Sequence, residues 1–194
     1  MLPELEKKLP GLRTKIMKPF VFKTNPNYIS VLALLVAFGA GYCLWKNILL
    51  LAAALILFNG FLDALDGEIA RKYKIQTKFG DFLDHVFDRI ADVAILFGLT
   101  FNQATPDLYG YAAIIVVLLV SFLGTEAQAL TTHRLYVGWL GRADRLVLLA
   151  IMTIIAFWFN QVIYWAPIVI LVLSSVSFFQ RFYIISGILH KKLN

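Results

Sequence analysis

The amino-acid sequence predicts an all-α integral membrane protein with six transmembrane helices and an N-terminal amphipathic helix on the membrane surface. Of its 194 residues, 60% are hydrophobic and 15% are charged, a composition typical of a chain surrounded by lipid. Several apolar runs approach the ~20 residues that a helix needs to cross the hydrocarbon core. These runs lack the polar and apolar alternation of transmembrane β-strands. Length and composition indicate one domain over residues 1–194.

The N-terminal segment, residues 1–23, combines six basic residues with scattered Leu, Ile and Phe. This pattern predicts an amphipathic helix lying on an anionic membrane surface. After the Asn25-Pro26-Asn27 break we expect a transmembrane bundle over residues 28–186. The predicted helices lie near residues 28–46, 48–71, 80–101, 108–131, 141–159 and 163–186.

The boundary between the last two predicted helices has few polar residues to mark it. The run from Leu146 to Ser174 is almost entirely apolar, and only Asn160, Gln161 and Pro167, with flanking aromatic residues, indicate a reversal. One long tilted helix is the alternative interpretation of this run.

Basic residues occur in alternate connections between the predicted helices. They lie in the N-terminal arm, at 71–78, at 134–145 and at 191–192, whereas the intervening connections contain only Lys46. The positive-inside rule then places both termini on the cytoplasmic side of the cell membrane. Cys43 is the single cysteine, so the chain forms no intrachain disulfide or thiolate metal site.

Acidic residues are concentrated in one part of the chain, with seven of the twelve between residues 63 and 92. Asp63 and Asp66 are three residues apart and Asp84 and Asp88 four apart, so each pair shares a helical face. A charged side chain at the centre of a transmembrane helix costs roughly 2.5–3.5 kcal/mol. An antiparallel hairpin would bring the four carboxylates together as a hard-oxygen site suited to Mg²⁺, Mn²⁺ or Ca²⁺. Because they lie near the cytoplasmic ends of their helices, the site is expected to face the cytoplasm.

These acidic pairs belong to a longer pattern, Asp63-x2-Asp66-Gly67-x2-Ala70-Arg71-x8-Gly80-x3-Asp84-x3-Asp88. The pattern resembles the CDP-alcohol phosphotransferase signature at every fixed position. The resemblance implies that Asp63, Asp66 and Asp84 bind one or two divalent ions, usually Mg²⁺ or Mn²⁺. It implies that Asp88 is a further metal ligand and the general base.

The small and basic residues of the same pattern are implied to bind the CDP-lipid donor. By resemblance, Gly67 and Ala70 line the cytidine pocket, and Gly80 allows close approach of the nucleotide. Arg71 is implied to contact the phosphates. The reaction releases CMP, and no residue stands out as an activated nucleophile for a covalent intermediate.

Two segments, one around the fourth aspartate and one at the start of the fifth predicted helix, indicate the acceptor. Residues 87–92 (Phe-Asp-Arg-Ile-Ala-Asp) and 141–146 (Gly-Arg-Ala-Asp-Arg-Leu) resemble the branch that accepts inositol phosphate, which includes archaetidylinositol phosphate and phosphatidylinositol phosphate synthases. The glycerol-phosphate branch usually has Leu-Asp-Pro at the third aspartate, where this chain has Leu83-Asp84-His85. Transfer to glycerol 3-phosphate or serine stays an alternative. The resemblance implies that the donor is CDP-archaeol or CDP-diacylglycerol.

Four arginines near the aspartates are candidates for binding an acceptor phosphate, which requires charge-assisted donors: Arg134, Arg142, Arg145 and Arg181. The competing interpretation is that they are cytoplasmic anchors of the positive-inside kind. Asp92, one turn after Asp88, is expected either to pair with Arg89 or to act in catalysis.

A cation or proton transporter is the alternative of another class, since it also uses intramembrane carboxylates. Transporters tend to have broken helices at the membrane midplane, whereas these aspartates lie in one half of the bundle. The resemblance implies a homodimer in the lipid bilayer. No nucleic-acid partner is expected.

Overall fold

A computed structural model describes residues 17–131 and 140–193 of the chain. These residues form six α-helices and no β-strand. A short 3-10 helix, Lys18–Phe20, precedes them. The helices are α1 Pro26–Trp45, α2 Leu49–Tyr73, α3 Lys78–Thr100, α4 Asp107–Thr131, α5 Arg142–Trp158 and α6 Gln161–Leu193.

Local capping explains where the helices of the site begin and end. Asn25 caps α1, its side chain accepting a hydrogen bond from the Asn27 amide at 3.1 Å. Thr77 caps α3 by accepting from the Gly80 amide at 3.0 Å. Lys74 ends α2 in the left-handed conformation, with φ of 54°. The predicted helix ends agree with the structure to within two residues, except at the C-terminal end of α6, which continues from 186 to Leu193.

The predicted reversal between the last two helices is confirmed, and the single long helix is wrong. Helix α5 ends at Trp158 and α6 begins at Gln161. Phe159 leaves the helical region with φ −126° and ψ 82°. Pro167 was a wrong marker of the boundary, because it lies inside α6, in the second turn. The break between the two helices lies at Phe159 and Asn160.

The predicted N-terminal arm is only partly within the described residues. Where the structure describes it, a helical turn ends at Phe20, and the part of the predicted amphipathic helix before Met17 lies outside the described residues. Met17 and Val21 are buried against apolar residues of α1 and α2. Lys72 Nζ donates to the Val21 carbonyl at 3.3 Å. The end of the arm therefore packs on the bundle.

Small residues allow α1 and α3 to approach closely. A Cβ atom at Gly98 would overlap the Gly41 carbonyl, and a Cβ at Gly41 would overlap the Ala94 carbonyl. Small residues play this role in membrane helix packing. Helix α1 also packs on α2, α2 on α5, α3 on α4, and α6 on both α4 and α5.

Two connections meet at the end of the bundle opposite the aspartates. The Asn102 side chain donates to the Leu44 carbonyl at 2.7 Å and to Asn47 Oδ1 at 3.2 Å. These bonds join the α3–α4 connection to the α1–α2 connection. The start of α1 and the α2–α3 connection consequently lie together at the other end.

Four helices in the described ranges are long and apolar enough to cross a membrane: α1, α2, α4 as far as Leu130, and α6 as far as His190. Helix α3 has several charged residues in its first half, and α5 has only 17 residues. The described ranges therefore contain six α-helices, of which four qualify as membrane spans by length and composition, so the predicted count of six transmembrane helices is not confirmed.

Candidate metal and phosphate site

Three of the predicted aspartates come together between α2 and α3. Asp63 on α2 and Asp84 and Asp88 on α3 each place one carboxylate oxygen within 4.8 Å of the others. All three side chains are partly buried. The short connection between α2 and α3 folds the two acidic pairs onto each other, as the sequence predicts.

Asp66 borders the same space but has a partner on another helix. Its Oδ2 accepts a hydrogen bond from Ser30 Oγ of α1 at 2.6 Å. A cavity of about 10 Å³, roughly the space of one water molecule, is lined by all four aspartates and by Ser30, Asn59 and Arg142. Clustered carboxylates around a small cavity are a donor set that suits a divalent ion.

Arg142, the first residue of α5, reaches into this carboxylate cluster. Its Nη1 atom lies 2.7 Å from Asp63 Oδ1 and 2.9 Å from Asp88 Oδ1. Its Nε lies 3.5 Å from Asp92 Oδ1. One guanidinium thus joins three helices at the site. Arg89 Nη1 approaches the other oxygen of Asp88 at 3.5 Å.

Asp92 forms a buried ion pair with Arg145, and their exposed side-chain fractions are only 2% and 4%. The expected pair with Arg89 is wrong, because Asp92 instead contacts Arg142 and Arg145 of α5. Sequence reasoning did not find this pair. The only signal was that Arg145 lies three residues after Arg142, on the same face of α5.

Arg181 of α6 is a second basic centre at the site, near Arg145 and Arg89. Its Nη1 donates to the Val120 carbonyl at 3.0 Å, and Gly124 leaves room for it, since a Cβ there would lie 3.1 Å from Nη1. Its buried Nε has no hydrogen-bond partner within residues 17–131 and 140–193. Arg181 is also within electrostatic range of Arg145 and Arg89. This arrangement is a ready site for an anion.

The remaining signature residues lie at the same end of the bundle. Arg71 is half-exposed and pairs with Glu68 at 2.8 Å, and a Cβ at Gly67 would lie 3.4 Å from Arg71 Nη1. A Cβ at Gly80 would lie 3.5 Å from Asn27 Oδ1 of α1. Ala70 is partly buried on the same helix as Gly67. The fourth candidate arginine, Arg134, is outside the described residues.

The described residues form a bundle of apolar helices with clustered carboxylates and arginines at one end. This arrangement is that of a membrane protein suited to binding a divalent ion and phosphate groups. Residues 23–186 match the model of the CDP-alcohol phosphatidyltransferase family. The chain belongs to that family. It is a transferase and a multi-pass membrane protein, and this replaces the alternative hypothesis of a transporter.

Relatives of known name include two archaeal proteins. The archaetidylinositol phosphate synthase of Pyrococcus horikoshii is 30% identical over 183 residues, which cover 90% of this chain and 95% of the relative. That of Methanothermobacter thermautotrophicus is 31% identical over 153 residues, covering 79% of this chain and 77% of the relative.

Solved structures share the fold. The Mycobacterium tuberculosis phosphatidylinositol phosphate synthase with CDP-DAG bound superimposes with a TM-score of 0.76 at 20% identity, covering 90% of this chain and 93% of that chain. The same enzyme in complex with manganese and citrate also gives 0.76, at 21% identity, with 90% and 88% covered.

Proposed function

We propose that this chain transfers a phospho-lipid group from a CDP-lipid, CDP-archaeol or CDP-diacylglycerol, to a hydroxyl of inositol 1-phosphate, releasing CMP. The observation that carries the acceptor assignment is Arg181, which lies near Arg145 and Arg89 and whose buried Nε has no hydrogen-bond partner in the part of the chain that the structure describes. The names of the two archaeal relatives support the same acceptor.

Asp63, Asp84 and Asp88 would hold a divalent ion, Mg²⁺ or Mn²⁺, with Asp66 as a further ligand on the same cavity. When bound, such an ion stabilises the negative charge that develops on the pyrophosphate oxygens. The manganese complex of the mycobacterial structure supports the metal dependence.

Asp88 is proposed as the general base. It accepts the proton of the acceptor hydroxyl while that oxygen forms a bond to the lipid-linked phosphorus. The bond between this phosphorus and the CMP oxygen breaks, and CMP leaves with the electron pair. Arg89, whose Nη1 lies 3.5 Å from one oxygen of its carboxylate, helps to keep Asp88 oriented at the junction of α2 and α3.

The donor is proposed to lie along the last two turns of α2 and the first turn of α3. Gly67 and Ala70 leave space for the cytidine ring, and Arg71, half-exposed, is able to reach its phosphates. Gly80 leaves space next to Asn27, at the start of α1.

The acceptor phosphate is proposed to bind between Arg142 and Arg181, with Arg134 as a further contact. Arg145 is already paired with Asp92, so it contributes positive potential and holds α5 in place. Arginines at this site favour an acceptor that carries a phosphate, such as inositol 1-phosphate, over serine, whose side chain carries none.

At the level of the whole chain, we propose one domain over residues 1–194 in which all six helices span the cell membrane. Both termini and the active site face the cytoplasm, and the protein forms a homodimer. The alternating distribution of basic residues supports this orientation.

Kinetics of an Arg181→Gln variant test the acceptor assignment. Loss of charge-assisted hydrogen bonds of about 1.5–3 kcal/mol should raise KM for inositol 1-phosphate roughly 10- to 150-fold, with KM for the CDP-lipid nearly unchanged. Arg181→Lys should recover part of this loss, and Lys78→Gln, an exposed basic residue at the start of α3, is the control. An unchanged acceptor KM would contradict the phosphorylated acceptor.

A further inference from the structure

Arg142 contacts two of the three carboxylates that make up the candidate metal cluster. Its Nη1 lies 2.7 Å from Asp63 and 2.9 Å from Asp88, which belong to different helices. Its side chain is 18% exposed, so it borders the solvent-accessible side of the site. The guanidinium consequently offsets the negative charge of the same two carboxylates that would bind a divalent ion.

The Arg142 guanidinium and a divalent ion would repel each other if both were bound to these carboxylates. Asp63 and Asp88 are partly buried, and salt screens charges in such places only weakly. Arg142 and a divalent ion therefore compete for Asp63 and Asp88. An ion bound there favours conformations in which Arg142 points elsewhere.

The neighbouring arginine explains how Arg142 can change partners while α5 stays in place. Arg145, one turn further along α5, is buried in its ion pair with Asp92 of α3. This pair fixes the start of α5 against α3. Rotation of the long Arg142 side chain is then enough to move its guanidinium away from the carboxylates.

We propose that Arg142 couples the metal site to the acceptor site: it releases Asp63 and Asp88 to the divalent ion and binds the acceptor phosphate. This exchange rests on the proposed function. Once the ion has displaced Arg142, binding of the acceptor phosphate no longer requires free energy to break the ion pairs of Arg142 with Asp63 and Asp88. By thermodynamic linkage, the ion and a phosphorylated acceptor each strengthen the binding of the other.

Equilibrium titration of Mn²⁺ into the full chain in detergent micelles, without CDP-lipid, tests the exchange. Removal of the competing cation in Arg142→Gln should raise Mn²⁺ affinity about tenfold or more. In the wild type, inositol 1-phosphate should raise Mn²⁺ affinity at least about fivefold, and unphosphorylated inositol should not. Arg142→Gln should abolish this coupling. Lys78→Gln, which removes an exposed positive charge elsewhere, should behave as the wild type.

Two results would overturn the exchange: Mn²⁺ affinity of Arg142→Gln that is unchanged or lower, or coupling of equal size in Arg142→Gln and the wild type. If that variant does not fold, the wild-type titration decides, because absent coupling to inositol 1-phosphate overturns the proposal. CMP release that depends on inositol 1-phosphate, found together with absent coupling, leaves the proposed function standing. A wild type that neither binds Mn²⁺ nor releases CMP contradicts the proposed function as well.

Discussion

At the level of single residues, three aspartates of the site have partners that stabilise their carboxylates. Asp63 and Asp88 share Arg142, and Asp66 accepts a hydrogen bond from Ser30. Like charges in a partly buried site raise the free energy of the folded state unless such partners or a metal ion are present. The carboxylates therefore depend on their surroundings for both stability and chemistry.

Replacement of single aspartates tests the metal cluster. Asp63→Asn, Asp84→Asn and Asp88→Asn should each lower CMP release by orders of magnitude, because each removes a charged metal ligand. Asp81→Asn on α3, an exposed position outside the cluster, should leave activity nearly unchanged. The measurement is CMP release at saturating substrates, with folding checked by size-exclusion chromatography. Full activity of any cluster variant would show that its carboxylate is not a ligand.

Sequence spacing was enough to predict which aspartates meet, because three- and four-residue separations define helical faces. It was not enough for Ser30 with Asp66, or for Asp92 with Arg145. The partners in these pairs are 36 and 53 residues apart. Their contact depends on how α1 and α5 pack on the α2–α3 hairpin, which no local pattern encodes.

At the scale of elements, the buried Asp92–Arg145 pair links α3 to α5. Arg145→Met should destabilise the fold by about 3–5 kcal/mol, because it leaves the Asp92 charge buried without a partner. The double variant Asp92→Asn with Arg145→Met should be more stable than Arg145→Met alone. Thermal unfolding in detergent micelles measures both. A double variant no more stable than Arg145→Met would argue against the pair.

Helix approach gives a second test at this scale. Gly98→Ala should strongly destabilise the bundle, because the added Cβ would overlap the Gly41 carbonyl of α1. Gly187→Ala on α6 is the matched control, because a Cβ there meets nothing within 4 Å. It should leave stability unchanged or raise it by about 0.5–1 kcal/mol through helix propensity. Equal melting temperatures for the two variants would contradict the close α1–α3 contact.

Helix positions were predictable because caps and connections such as Asn25, Thr77 and Phe159–Asn160 interrupt apolar runs. The end of α6 was not, since no glycine or proline stops the helix after residue 187. Pro167 was misleading because it lies inside α6, where it removes one backbone hydrogen bond without ending the helix, as membrane helices tolerate.

At the scale of the whole molecule, the proposed orientation is open to a direct test. In a Cys43→Ala background, Gln76→Cys should react with a membrane-impermeant thiol reagent from the cytoplasmic side and Gln103→Cys from the outside. Both positions are exposed in connections at opposite ends of the bundle. Labelling of both from the same side would contradict α3 as a membrane span.

The central claim is that this transferase moves a phospho-lipid group to inositol phosphate with a divalent ion held by its aspartates. The most direct measurement is CMP release from CDP-archaeol and CDP-diacylglycerol with inositol 1-phosphate, glycerol 3-phosphate or serine, each with Mg²⁺, Mn²⁺ or excess EDTA. We expect release with inositol 1-phosphate that EDTA abolishes and either metal restores. Undiminished release in EDTA, or release that requires serine or glycerol 3-phosphate, would contradict the account.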